Sequence, residues 1–379
     1  MIEKPKLLIA VDTYYPKTDG TLRFVEEFVK RAQEFDYHLL APNFQNKKDT
    51  KNITFLDVSK IIKSSGYSSI KISYKNIKKI KQAIKKTDVV FVQGPALISF
   101  ISIILSKRYK KKCIGYMHID PWEFFNKFLI TVPGKILYYV IRPFLKMAVN
   151  KFSLILVPYP KLIDYLREKG ITPHIAVARL GVDIQRFSPS KDKAVSKKKM
   201  GLDPEKTVVA YVGRISNEKN VRVLYEAIHK LEHPENFFFL MVGDGPSFLT
   251  KRFNESPNCQ VTGFVTNVEN YLQAADIFVM PSLTETTSLA TLEAMSCGLP
   301  VIVTKVGFMQ EYIKKEKNGL FFPKANPTML ALKLEKLQND PELRASLGRQ
   351  ARRTITHAFS WERSINKIKK IIHQIYHQH

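Results

Sequence analysis

Two successive runs of βα units predict an α/β protein made of two doubly wound, Rossmann-like domains. Three observations carry this. Short apolar runs alternate with amphipathic stretches along most of the chain, the pattern of parallel strands joined by helices. A length of 379 residues is long for one core and comfortable for two. A polar, charged, proline-containing break at 187–193 separates the runs.

The first run offers strand candidates at 7–11, 38–41, 89–92, 112–117 and 154–158. The longest apolar stretch, 89–105, is broken by Gln93-Gly94-Pro95, so it reads as a strand and a helix rather than a membrane span. Residues 74–86 have a helical period, with Ile77, Ile80 and Ile84 on one face and lysines elsewhere. The second run places strands at 208–212, 237–242, 260–263, 277–280 and 301–303. Residues 357–379 form a basic amphipathic helix with Ile365, Ile368, Ile371 and Ile372 on one side. The expected division is therefore 1–187, 188–356 and a final helix, 357–379. The opening apolar run is too short for a secretory signal. Three widely spaced cysteines (Cys113, Cys259, Cys297) suggest neither a disulfide framework nor a zinc site, and a reducing cytoplasm fits them.

Charge is uneven. Of the net +26, residues 1–180 supply +18, from 32 Lys+Arg against 14 Asp+Glu. A basic half of this kind suits nucleic acid, an anionic membrane, or merely the solvated surface expected in a lysine-rich proteome.

The chemistry concentrates where ligands of such sheets bind, just beyond the carboxyl ends of strands. Glu285 and Glu293 lie eight residues apart in 283–302, where a buried strand passes through a polar turn into a helix that stops at Gly298. A helix N-terminus favours an anion, and the carboxylates suit hydroxyl groups on either side of it, as in a sugar–pyrophosphate–ribose chain. Arg214 and Lys219, on one loop, can both reach a pyrophosphate.

This combination resembles the retaining glycosyltransferases of family 4, which have the GT-B fold. Glu285 and Glu293 match the family's Glu-x7-Glu element. Val212-Gly-Arg-Ile-Ser-Asn-Glu-Lys219 is similar to its glycine–arginine…lysine loop, Val242-Gly-Asp-Gly-Pro246 to its Gly-x-Gly turn, and Val261-Thr-Gly-Phe-Val265 to its base-contacting loop. Arg179 to Phe187 resembles the interdomain connector, and Ser360-Trp-Glu-Arg363 the start of the C-terminal helix. The resemblance implies two domains facing a cleft, with the final helix crossing back to the first domain. It implies a nucleotide-sugar donor, of the UDP-glucose or GDP-mannose type, held in the second domain, and transfer with retention.

By the same resemblance, Arg214 and Lys219 stabilise the leaving diphosphate, Glu293 accepts from the ribose hydroxyls and Glu285 from the donor sugar. Gly213, Gly263 and Phe264 contribute to the nucleotide site, and Gly20 lets backbone approach the donor. His118, in Gly115-Tyr-Met-His-Ile-Asp120, matches the family's histidine near the reaction centre, with Asp120 a weaker candidate. The chain departs from the family in three places. Asp19 stands for the first glycine of a pair. Glu285-Thr-Thr-Ser288 replaces Glu-Gly-Phe-Gly, which removes easy access to positive φ; the hydroxyls of Thr286, Thr287 and Ser288 then either contact the donor, with Leu289 beside them, or cap the helix. Gly307-Phe308 replaces Gly-Gly. No Asp-x-Asp element stands near these motifs, so no metal or other cofactor is expected.

The stretch 121–146 mixes Trp122, Phe124, Phe125, Lys127 and further aromatics with cations and prolines, which suits a membrane interface. The resulting expectation is a cytoplasmic hexosyltransferase, peripheral on the inner face of the cell membrane, with a lipid-linked hydroxyl acceptor. A soluble sugar, sugar phosphate or polysaccharide acceptor is the alternative within the family. Nucleic-acid binding is the alternative outside it, and is disfavoured because Arg214, Lys219, Glu285 and Glu293 are all present. A Rossmann oxidoreductase is disfavoured because no Gly-x-Gly-x-x-Gly follows the first strand.

Overall fold

Parallel strands that are apolar on both faces organise the protein. A computed structural model describes residues 4–16, 19–64, 67–94, 96–118, 122 and 132–377. It divides into two units, residues 1–179 with 364–379, and residues 180–363.

The first unit holds strands β1 (Lys6–Val11), β2 (Asp36–Asn43), β3 (Ile53–Ser64), β4 (Tyr67–Ile70), β5 (Val89–Gln93), β6 (Lys112–Tyr116), β7 (Leu154–Val157) and β8 (His174–Val177). Their order in the sheet is β4-β3-β2-β1-β5-β6-β7-β8. Only the β3–β4 pairing is antiparallel. β5 is buried at every position, as expected of a strand covered on both faces. The helices are α1 (Gly20–Arg31), α2 (Tyr74–Lys85), α3 (Leu97–Arg108), α4 (Val132–Val149) and α5 (Lys161–Glu168). Right-handed crossovers put α1, which leads from β1 to β2, on one face of the sheet. They put α3 and α4, which lead in the opposite direction, on the other face. α2 packs on α3, and α3 on α4. Ser73 caps α2, accepting from Asn76 N.

The second unit has the order β11-β10-β9-β12-β13-β14, with β9 (Thr207–Val212), β10 (Phe237–Val242), β11 (Cys259–Val261), β12 (Ile277–Met280), β13 (Val301–Thr304) and β14 (Leu320–Phe322). All five pairings are parallel. Its helices are α6 (Lys193–Lys199), α7 (Val221–Ile228), α8 (Ser247–Asn254), α9 (Val268–Ala274), α10 (Leu289–Ser296), α11 (Met309–Tyr312), α12 (Pro327–Asn339) and α13 (Pro341–Ala358). α12 and α13 begin with proline at the first helical position, after the capping residues Asn326 and Asp340, where the missing N–H costs nothing.

The second unit begins at Leu180, upstream of the break expected after Phe187, because its own helix holds 180–187. Arg352 on α13 donates to the carbonyls of Ile184 (2.9 Å), Phe187 (2.9 Å) and Ser296 (2.7 Å), and Val182 N donates to Phe359 O at 2.7 Å. The last helix, α14 (Trp361–His377), belongs from Ser364 onward to the first unit. There Ile365, Ile368 and Ile372 are buried, Lys369 meets Glu34 at 2.8 Å, and His373 stacks on Phe35. All three cysteines are free, and burial pushes their thiols up to about 12.

Candidate active site

In the second unit the strand order reverses direction between β9 and β12. Such a switch point opens a crevice beyond the strand ends. The loop after β9 carries Gly213, Arg214 and Lys219, and the loop after β12 carries Glu285. Three bonds tie the loops together. Leu283 N donates to Glu218 O at 3.0 Å, Asn220 Nδ2 donates to Pro281 O at 3.1 Å, and Lys219 Nζ meets Glu285 Oε1 at 2.5 Å. Ser282 Oγ donates to the same carboxylate oxygen at 2.8 Å. Glu285 Oε1 is thus engaged twice, while Oε2 has no partner among the described residues. The pair is largely enclosed, with side-chain exposures of 19% for Lys219 and 8% for Glu285. Arg214 is exposed and lies 3.5 Å from Glu218.

Tyr211, buried in β9, holds the arginine loop from beneath by donating from its hydroxyl to Arg214 O at 2.6 Å. Burial, with the Glu285 carboxylate adding to it, pushes its phenol well above the ordinary range. The turn after β10 braces the same loop. A Cβ on Gly243 (φ +144°) would lie 2.0 Å from Gly213 O, so only glycine fits. Gly243 bridges Gly263, beside which Phe264 stands exposed.

Between Glu285 and α10, the loss of two glycines has not removed the left-handed turn. Ser288 adopts φ +54°, and α10 starts there with no side-chain cap, because its hydroxyl pairs with Thr291 Oγ1 at 2.8 Å instead. The first N–H groups of α10, at Leu289 and after, therefore suit an anion. Thr287 is clamped through its carbonyl, which accepts from Tyr312 Oη at 2.6 Å. Its own hydroxyl is buried without a partner among the described residues. Thr286 O accepts from Phe308 N at 2.9 Å. Gly307 permits this contact, since a Cβ there would lie 1.8 Å from Glu285 O. Glu293, half-buried, follows on α10 beside buried Leu292, Ala294 and Met295.

In the first unit the switch point lies between β1 and β5. Asp12, just past β1, accepts from Ala96 N (3.2 Å), Ile98 N (2.9 Å) and Ser99 Oγ (2.5 Å), and so caps α3. Burial pushes its carboxyl up to about 6, against these donors. Asp19 caps α1, accepting from Thr21 N and Leu22 N at 2.9 Å each, and Gly20 is the exposed first residue of that helix. His118, beyond β6, is buried and bonded through Nε2 to Gln93 Oε1 at 2.9 Å. Burial holds its imidazole down at about 3.

One expected surface residue is corrected. Trp122 is only 3% exposed, so its indole is spent inside the protein and cannot enter a bilayer. Asp120, Phe124, Phe125 and Lys127 lie outside the described residues. Sequence reasoning missed Tyr211, Ser282, Tyr312, Asp12 and Gln93. Tyr211 and Gln93 were detectable as polar side chains in otherwise apolar strands, where each needs a partner. Among the described residues no cluster of three His, Cys, Asp or Glu could hold a metal ion.

Comparison with known proteins identifies both units. Residues 18–186 match the model of Glycosyltransferase Family 4, and residues 192–354 that of Glycosyl transferases group 1. The chain belongs to the family 4 glycosyltransferases. It is 29% identical to the sulfoquinovosyl transferase SQD2 of Arabidopsis thaliana, over 75% of this chain and 56% of that one. It is 24% identical to an uncharacterized glycosyltransferase of Methanocaldococcus jannaschii, over 96% of each. A D-inositol 3-phosphate glycosyltransferase of Streptomyces bingchenggensis is 31% identical over 53% of this chain and 48% of that one. The chain thus spans about half the length of the plant and Streptomyces relatives. Anabaena HepE, solved in complex with UDP, superposes with a TM-score of 0.77 at 16% identity over 98% of this chain and all of that one. The fold is GT-B, and both units match glycosyltransferase family models.

Proposed function

We propose that this glycosyltransferase moves a hexosyl group, without a metal, from a UDP-glucose or GDP-mannose type donor to a lipid-linked hydroxyl at an anionic membrane surface. The bond from the anomeric carbon to the diphosphate breaks as the bond to the acceptor oxygen forms, and the acceptor proton leaves with the diphosphate. Charge grows on the leaving group. Fixed cations and N–H dipoles in an enclosed site stabilise it, and Arg214, Lys219 and the start of α10 supply them. The Oε2 of Glu285 accepts from a hydroxyl of the sugar, and Glu293 from the ribose.

The acceptor reading rests on one observation, the outer surface of the α2–α3–α4 layer. These helices contain no Asp or Glu and ten Lys or Arg. They expose Tyr74, Ile77, Ile104, Tyr139, Phe144 and Met147 among those cations. Aromatic and aliphatic groups set among lysines suit the headgroup region, and each cation near an anionic surface contributes about 1 kcal/mol. Among the described residues no helix is long and apolar enough to cross a membrane. The surface position and the inner-face location belong to the proposal.

Vesicle flotation tests it. The protein should float with anionic vesicles, less so at high salt, and poorly with neutral ones. Tyr139→Ser, Phe144→Ser and Met147→Ser together should remove the salt-resistant part. If the unmutated protein ignores anionic vesicles at low salt, the charge is solvated surface and the acceptor is a soluble sugar, sugar phosphate or polysaccharide.

A further inference from the structure

Gln93 is the last residue of β5, between Val11 of β1 and Tyr116 of β6, and is 1% exposed. Its neighbours across the sheet are apolar or aromatic, so a leucine would be the ordinary occupant. Instead its Oε1 meets His118 Nε2 at 2.9 Å. The imidazole is further fixed by Tyr116, whose ring centroid lies 4.2 Å away, and by Phe24 at 5.2 Å. His118 is itself 6% exposed. Two buried atoms of the pair, His118 Nδ1 and Gln93 Nε2, have no hydrogen-bond partner among the described residues.

A carbonyl oxygen can only accept, so the His118 nitrogen facing it must carry the proton. A ring held neutral then has a bare lone pair on its other nitrogen. We infer that Gln93 is a positioning residue that locks His118 as the neutral Nε2–H tautomer, leaving Nδ1 as a pure hydrogen-bond acceptor. The inference rests on the reading of His118 as a group facing the transferring sugar. In that setting His118 accepts from a hydroxyl. It neither delivers a proton nor binds a phosphate oxygen, since a bare lone pair repels an anionic oxygen. The chemical class selected at Nδ1 is therefore an uncharged donor, such as a sugar hydroxyl. Sites built to hydrogen-bond a hydroxyl discriminate strongly against analogues that lack it. The burial that holds this ring neutral acts in the same direction.

The test begins without substrate. The protein is isotope-labelled at its histidine ring nitrogens and read by long-range proton–nitrogen correlation, with His118 assigned by its loss in His118→Phe. A pyrrole-like Nε2 and a pyridine-like Nδ1 are expected across the physiological pH range. Gln93→Leu should lose this pattern, and Gln93→Glu, which still offers an accepting oxygen to Nε2–H, should keep it. Leucine removes a buried amide N–H that has no partner but also takes the acceptor from the buried His118 Nε2–H, so a lower Tm is expected; Gln93→Leu is therefore read well below its own Tm, with Gln93→Glu, which keeps the acceptor, as the folded control. The second readout is release of UDP from UDP-glucose. The kcat of Gln93→Leu should fall about tenfold, with KM changed less than about twofold, and Gln93→Glu should restore most of kcat; a tenfold loss corresponds to about 1.4 kcal/mol. A charged or Nδ1–H ring in the unmutated protein would overturn the inference. So would an unchanged tautomer in Gln93→Leu, or full kcat there with the tautomer lost. If the unmutated protein turns over neither UDP-glucose nor GDP-mannose, the donor assignment fails, while the tautomer pattern still decides for or against the lock.

Discussion

Replacing Glu285 by glutamine separates the two jobs that the carboxylate performs. The variant leaves the Lys219 ammonium, 19% exposed, beside a neutral amide where a carboxylate oxygen had been at 2.5 Å. Removing one partner of a fully buried ion pair costs about 3–5 kcal/mol. Lys219 keeps some access to water, so the expected loss is smaller, about 2–3 kcal/mol. For a unit of this size that lowers Tm by about 4–12 °C. A nucleoside diphosphate brings the missing negative charge, so UDP should raise the Tm of the variant by more than it raises that of the unmutated protein. UDP affinity should be kept or improved, whereas transfer should fall about 10–150-fold, the value of one charge-assisted hydrogen bond to the sugar. Glu293→Gln should behave oppositely and weaken UDP itself. Scanning fluorimetry and calorimetry with UDP, together with UDP release from UDP-glucose, measure all of these. An unchanged Tm in Glu285→Gln together with weaker UDP binding would refute the reasoning, because Lys219 would then not depend on Glu285.

Other expectations follow from the same geometry. Arg214→Ala with Lys219→Ala should abolish turnover, each lost contact weakening UDP by about 1.5–3 kcal/mol, while EDTA should leave the unmutated enzyme active; activity lost to EDTA and restored by Mg²⁺ would contradict the metal-free reading. Gly307→Ala should cost more than about 2 kcal/mol in thermal unfolding, since its Cβ would strike Glu285 O. His118, held down at about 3, is protonated more readily in the unfolded chain. The stability it gives above its ordinary range is lost as pH falls toward 3, reaching about 2 kcal/mol by pH 5. Asp12, shifted upward, contributes in the opposite sense. Urea unfolding at pH 5 and pH 7, compared with His118→Phe, isolates the histidine.

The central strands were legible because parallel strands covered on both faces must be apolar throughout, and β1, β5, β7, β9 and β12 announce themselves that way. β3, β4, β8 and β14 did not: β4, β8 and β14 have only three or four residues, and β3 mixes Asp57, Lys60 and Lys63 among its apolar residues. Arg214, Lys219 and Glu285 could be named from motif spacing. That Lys219 spends its charge on Glu285, 66 residues away, is a tertiary contact that spacing does not encode. Ser288 shows the limit of propensity. Its left-handed backbone is imposed by the clamps on Thr286 and Thr287, although glycine is the easier occupant. Trp122 misled for a related reason, since an aromatic among cations suits either a bilayer or a core.

Arg352 and the final helix also bear on how the chain is made. The opening segment of the second unit, 180–187, has its carbonyls answered by a guanidinium on α13. In the first unit, Glu34 and Phe35 find partners on α14. On the ribosome, both units must therefore wait for residues 352–377 before either can close. The strands can pair as they emerge, but α13 and α14 are what seal them, and until then a nascent chain carries two open cores for chaperones to shield.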